Sequence, residues 1–94
     1  MSWTKVDLAK WADEIGIDMN EIDQKLRLRD MIVRIRLRRG LSQEQLAELV
    51  GVSRSRIAQI EAGIKLHRTS FDVLFRVLHG LGYRYKITAT KMAA

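Results

Sequence analysis

The stretch LSQEQLAELVGVSRSRIAQIEAG, residues 41–63, decides the fold of this chain. Ser42 is followed three residues later by Gln45, the spacing of a capping box, which predicts a helix running to about Leu49. Ser53 is the N-cap candidate of a second helix, which is expected to run through Ala62 and end at a left-handed Gly63. About three residues separate the two helices, so the stretch predicts a pair of short helices joined by a tight turn.

Two further helices are predicted before this stretch. Thr4 and Asp7 form a capping pair ahead of apolar residues at helical spacing, which predicts a helix over residues 4–15. Residues 33–38 alternate between apolar and basic side chains as a strand would. Over the longer range 18–39, however, polar residues recur every three or four positions, and this periodicity favours a helix.

The C-terminal part is predicted to hold one more helix and one strand. The helix begins near Thr69 or Ser70 and ends at Gly80, with a core stripe of Phe71, Leu74, Phe75 and Leu78. Residues 83–88 have a period of two in residue types that favour strands. A lone strand leaves backbone groups unpaired, so it needs a second chain. Either two copies pair their strands in a twofold dimer, or the strand joins the sheet of another protein, through Tyr83, Tyr85 and Ile87.

Composition and charge favour a polyanionic partner. The net charge is +6, and it is uneven: residues 1–30 hold five Lys/Arg against seven Asp/Glu, whereas residues 31–94 hold twelve against four. The basic part would bind phosphates in a strongly salt-dependent way.

With no cysteine and two isolated histidines, we expect no metal site, no cofactor and no enzymatic activity. No membrane span or signal peptide is visible, so we expect a cytoplasmic protein.

Two short helices joined by a glycine-containing turn are the signature of a helix-turn-helix, whose second helix enters the major groove of DNA. Gly51 is suited to the turn. Outward positions of the second helix carry Arg54, Ser55 and Gln59, which can donate hydrogen bonds to bases or phosphates. Ala47 is small enough to let the second helix cross closely, and the core shared by the two helices is expected to contain Leu46, Leu49, Val52, Ile57 and Ile60.

The residues LSQEQLA (41–47), VGVS (50–53) and IAQIEAG (57–63) resemble the lambda-repressor/Cro-like (XRE) helix-turn-helix family over about residues 31–81. The resemblance implies that Gln43 clamps the DNA backbone and that Arg54, Ser55 and Gln59 contact bases. It also implies a structural ion pair between Arg36 and Glu61. Basic residues after the recognition helix, here Lys65 and Arg68, would touch phosphates.

The flanking segments resemble, less specifically, the HigA/HipB-type antitoxins of type II toxin–antitoxin operons. The predicted protein is thus an all-α, five-helix, lambda-repressor-like domain with one C-terminal strand paired across a dimer. It would comprise a helical leader (1–30), a DNA-binding core (31–81) and a strand with tail (82–94). We expect a homodimeric, sequence-specific repressor that binds a palindromic operator in double-stranded DNA and acts as the antitoxin of such a pair. A solitary regulator without a toxin partner is the alternative.

Overall fold

A computed structural model describes Glu14 and residues 19–92 of the chain. Its helices are α1 (Met19–Arg38), α2 (Gln43–Val50), α3 (Arg54–Ala62) and α4 (Phe71–Gly80), with a short 3-10 turn at Leu66–Arg68. Four of the predicted helices are therefore confirmed, to within two residues at their ends. The predicted helix over residues 4–15 lies outside the described residues except for Glu14, which is helical, so the fifth helix stays a prediction.

Local hydrogen bonds begin and end the central helices as the sequence predicts. Ser42 Oγ accepts from the backbone N–H of Gln45 at 3.0 Å, while Gln45 Oε1 accepts from the N–H of Ser42 at 2.8 Å. Ser53 Oγ accepts from the N–H of Arg56 at 3.1 Å and caps α3 in the same manner. After α2 the chain turns at Gly51, whose φ of +81° is a left-handed conformation that only glycine adopts without a steric energy cost. This turn sets α3 across α2.

The core lies where α2, α3 and α4 pack against the C-terminal half of α1. Its buried side chains are Ile32, Ile35, Leu46, Ala47, Val50, Ile57, Ile60, Leu74, Val77, Leu78 and Leu81. The prediction that Leu49 belongs to this core is wrong, since its side chain is 51% exposed. The buried face of α2 is centred on Val50, and helical geometry places Leu49 well to one side of it. Phe71 and Phe75, predicted as core, are only partly buried at the edge of α4.

The approach of α4 to α2 is close at Gly80. A Cβ atom at this position would lie 2.7 Å from Cγ2 of Val50, too near for ordinary packing. Gly80 is the last residue of α4, so the prediction of the helix end is confirmed. Its lack of a side chain permits the close contact between the two helices.

A buried lysine joins the N-terminal half of α1 to α4, which the sequence did not predict. Lys25 is 2% exposed, and its Nζ lies 2.8 Å from Glu21 Oε1 and 5.2 Å from the centroid of the Phe71 ring. An ion pair and a cation–π contact together compensate for the removal of the ammonium group from water. Residues of α1 ahead of the helix-turn-helix are thereby packed onto it.

The predicted strand over residues 83–88 is not formed. Residues 83–92 contain neither helix nor strand, and the described part of the chain contains no other strand with which they could pair. The Tyr83 N–H donates to the Leu78 carbonyl at 3.0 Å, and the Tyr85 ring stacks on Phe75 with centroids 4.0 Å apart. Aromatic packing, rather than a backbone ladder, thus holds the start of this tail.

Candidate nucleic-acid interface

One side of α3 is polar and open to solvent. Arg54, Ser55 and Gln59 are exposed, and within residues 19–92 their side chains have no hydrogen-bond or ion-pair partner. Ile57 and Ile60, on the opposite side of the helix, are each 1% exposed. A period of 3.6 residues produces this division, because the positions of the two isoleucines lie about half a turn from those of the polar residues. The same spacing that anchors the helix therefore directs its donors outward.

The exposed side of α3 carries no acidic group that could repel a phosphate. The one acid of the helix, Glu61, is 8% exposed at its side chain and is turned toward α1. Lys65 and Arg68 follow α3 and are exposed. The helix side and the segment after it therefore both present exposed cationic or neutral donors.

The segment after α3 has an uncommon backbone at Lys65, whose φ is +55°. This left-handed conformation costs a residue with a side chain roughly 1–2 kcal/mol, so surrounding contacts must hold it. Leu66 is buried, and Thr69 Oγ1 donates to the Lys65 carbonyl at 3.3 Å. These contacts fix the direction in which the chain leaves the helix-turn-helix.

Arg36 and Glu61 join α1 to the end of α3. Arg36 Nε donates to Glu61 Oε2 at 2.6 Å, and Arg36 Nη2 donates to Glu61 Oε1 at 2.8 Å. The third guanidinium nitrogen, Nη1, donates to the backbone carbonyl of Leu41 at 2.8 Å. This bidentate geometry is the strong form of an arginine–carboxylate pair, and it ties the loop before α2 to both helices.

Gln43, which is predicted to contact the DNA backbone, also forms a hydrogen bond within the protein. It is the first residue of α2 and is partly buried, and its Nε2 donates to Glu61 Oε1 at 3.2 Å. The predicted backbone clamp and the predicted ion pair are therefore parts of one hydrogen-bonded cluster. No local sequence pattern predicts this contact, because Gln43 and Glu61 lie 18 residues apart.

Two further arginines, Arg29 and Arg39, stabilise the scaffold. Arg29 Nη1 donates to the Glu61 carbonyl at 2.9 Å, which satisfies a free carbonyl at the C-terminal end of α3. Arg39 Nη1 donates to the Leu81 carbonyl at 2.9 Å, just after α4. The signal for Arg29 was its position two helical turns before Arg36, which places both side chains on the same side of α1.

A second surface, here termed the tail groove, lies between α1, α4 and the tail. Its apolar lining includes Leu28, Met31, Phe71, Phe75, Tyr85 and Ile87, around a volume of about 670 Å³. Tyr83, Tyr85 and Ile87, the predicted partner strand, are 42%, 52% and 77% exposed. Apolar side chains this open, gathered in one place, are typical of protein interaction surfaces.

Comparisons with known proteins bear on the α3 side. A family model described as Helix-turn-helix matches residues 32–86, which include the last two turns of α1 and all of α2, α3 and α4. Among curated proteins and among solved structures, no significant match was found. None of the helices in the described ranges has the length and apolarity needed to cross a membrane.

Proposed function

The chain belongs to the lambda-repressor/Cro-like (XRE) helix-turn-helix family of DNA-binding transcription regulators, and from this membership we propose that it is a sequence-specific repressor that binds operator DNA with α3. One observation carries the proposal: Arg54, Ser55 and Gln59 share an exposed side of α3 on which they have no partner in the described chain. Removing these polar side chains from water is favourable only where a ligand forms hydrogen bonds with them.

Each side chain suits a particular contact. Arg54 can donate two parallel hydrogen bonds to a guanine, Gln59 can pair with an adenine, and Ser55 can bond to either. Lys65 and Arg68 are assigned to phosphates, where charge gives affinity without sequence preference. Gln43 is assigned to the DNA backbone beside them.

A homodimer would place two copies of α3 about 34 Å apart, so that each meets one half of a palindromic operator. We assign the contact between copies to Tyr83, Tyr85 and Ile87. Their exposure supports this, as do the backbone groups of residues 84–92, for which the described chain provides no pairing strand. Sedimentation of the full chain tests it: Tyr85→Glu should convert a dimer to a monomer, and an unchanged dimer would contradict the assignment.

The tail groove also supports a finer proposal, that this cytoplasmic repressor is the antitoxin of a type II toxin–antitoxin pair and regulates its own operon. A toxin would contact the leader or the tail, in place of or after the second copy. A neighbouring reading frame for a small basic protein that co-purifies with the chain would support this. Failure of the two products to co-purify would instead support a solitary regulator.

Substitutions on α3 test DNA recognition directly. The full chain would first be used to enrich a duplex from a randomised pool, and binding to that duplex would be compared with binding to a random duplex of equal length. Arg54→Ala with Gln59→Ala should remove the preference while the circular dichroism spectrum stays unchanged. Arg27→Ala, which removes an exposed arginine from α1, serves as the control and should preserve the preference. Full preference in the α3 variant would refute the proposal.

A further inference from the structure

The Glu61 carboxylate accepts hydrogen bonds from two side chains, Arg36 and Gln43. Its Oε2 accepts from Arg36 Nε at 2.6 Å, while its Oε1 accepts both from Arg36 Nη2 at 2.8 Å and from Gln43 Nε2 at 3.2 Å. The side chain is 8% exposed, and that of Arg36 is 12% exposed. Glu61 is therefore held by the scaffold on one side and is bonded to a predicted DNA contact on the other.

This arrangement decides which way the Gln43 amide faces. A carboxylate only accepts hydrogen bonds, so the amide nitrogen of Gln43, and not its oxygen, must point to Glu61. One N–H is used in that bond. The second N–H and the carbonyl oxygen have no partner in the described part of the chain and are left for an external ligand.

We propose that Glu61 is a positioning residue for DNA binding, because it fixes the amide of Gln43 in the one orientation that presents an N–H and the carbonyl to DNA. The proposal rests on the proposed function, and in particular on Gln43 contacting DNA. A flexible glutamine must otherwise be ordered at the moment of binding, which weakens affinity about three- to tenfold. The ion pair with Arg36 then has a second effect beyond stability, since it anchors the group that orients Gln43.

A double-mutant cycle separates positioning from a purely structural role. Dissociation constants are measured by fluorescence anisotropy on the duplex enriched by the wild-type chain, for Glu61→Gln, Gln43→Ala and the double variant. Each is assayed well below its own melting temperature. We expect Glu61→Gln to weaken binding about three- to tenfold, and to cause no further loss when Gln43 is already alanine.

Two controls keep the cycle interpretable. Glu48→Gln removes the same charge from an exposed position of α2, so its effect on binding should be equal with and without Gln43. If Glu61→Gln does not fold, the cycle is run with Glu61→Asp, which keeps the negative charge beside Arg36 and shortens the reach of the carboxylate toward Gln43 by one methylene.

The outcomes are distinct. Equal fold-losses from the Glu61 change in both backgrounds would mean that Glu61 acts only through the scaffold, and this would overturn the proposal. So would unimpaired binding by the Glu61 variant, or by Gln43→Ala while Arg54→Ala still weakens binding. A wild-type chain that enriches no duplex would instead overturn the proposed function, and the positioning role with it.

Discussion

Replacing Arg36 with methionine should be among the most damaging single changes to the folded state. The Glu61 carboxylate is 8% exposed, and it would keep Gln43 as its donor but lose both bonds from Arg36. Removing one partner of a buried pair costs roughly 3–5 kcal/mol, because the remaining charge is left uncompensated. Small domains are stable by about 5–15 kcal/mol in total. A loss of this size should lower the melting temperature by at least about 12 °C.

Urea unfolding followed by circular dichroism would measure this loss against a matched control. Arg27→Met makes the same substitution in the Asp23–Arg27 pair, whose atoms lie 3.4 Å apart with side chains 57% and 71% exposed, and should cost no more than about 1 kcal/mol. Arg36→Met with Glu61→Leu removes both buried charges and should recover much of the stability. If Arg36→Met were no more damaging than Arg27→Met, the reasoning from burial would be refuted.

Three further outcomes are expected. Gly80→Ala should cost about 1–3 kcal/mol in urea unfolding, because its Cβ would lie 2.7 Å from Val50 Cγ2, and the cost should shrink in a Val50→Ala background; equal costs in both backgrounds would contradict the clash. Lys25→Met should preserve the free energy of unfolding to within about 1 kcal/mol, because an apolar chain of similar length fills the site and the Glu21 side chain is 42% exposed. Lys25→Ala should lower it by about 2 kcal/mol or more. Equal losses from the two variants would contradict a packing role for Lys25. Lys65→Ala and Arg68→Ala should each reduce the salt dependence of DNA binding by about one unit of log–log slope, with Arg27→Ala as the unchanged control.

Sequence reasoning succeeded where the signals were local. The capping box at Ser42, the cap at Ser53 and the turn at Gly51 each depend on residues within four positions of one another, and each is present. The prediction of a strand over residues 83–88 was wrong because a strand depends on a distant partner. Alternation indicates which residues could pair but does not supply the second strand. The prediction that Leu49 is buried was wrong because a short apolar pattern does not indicate which side of a helix the neighbouring helices cover.

The amino-acid sequence by itself determined the helix-turn-helix and the exposed donors of α3, because helical periodicity and capping are properties of neighbouring residues. Only the tertiary structure decided that Gln43, Arg36 and Arg29 meet at Glu61, from three segments up to 32 residues apart. It also decided that Gly80 meets Val50 and that Tyr85 stacks on Phe75. Such contacts depend on the crossing of whole helices, and no local pattern encodes the angle at which two helices pack.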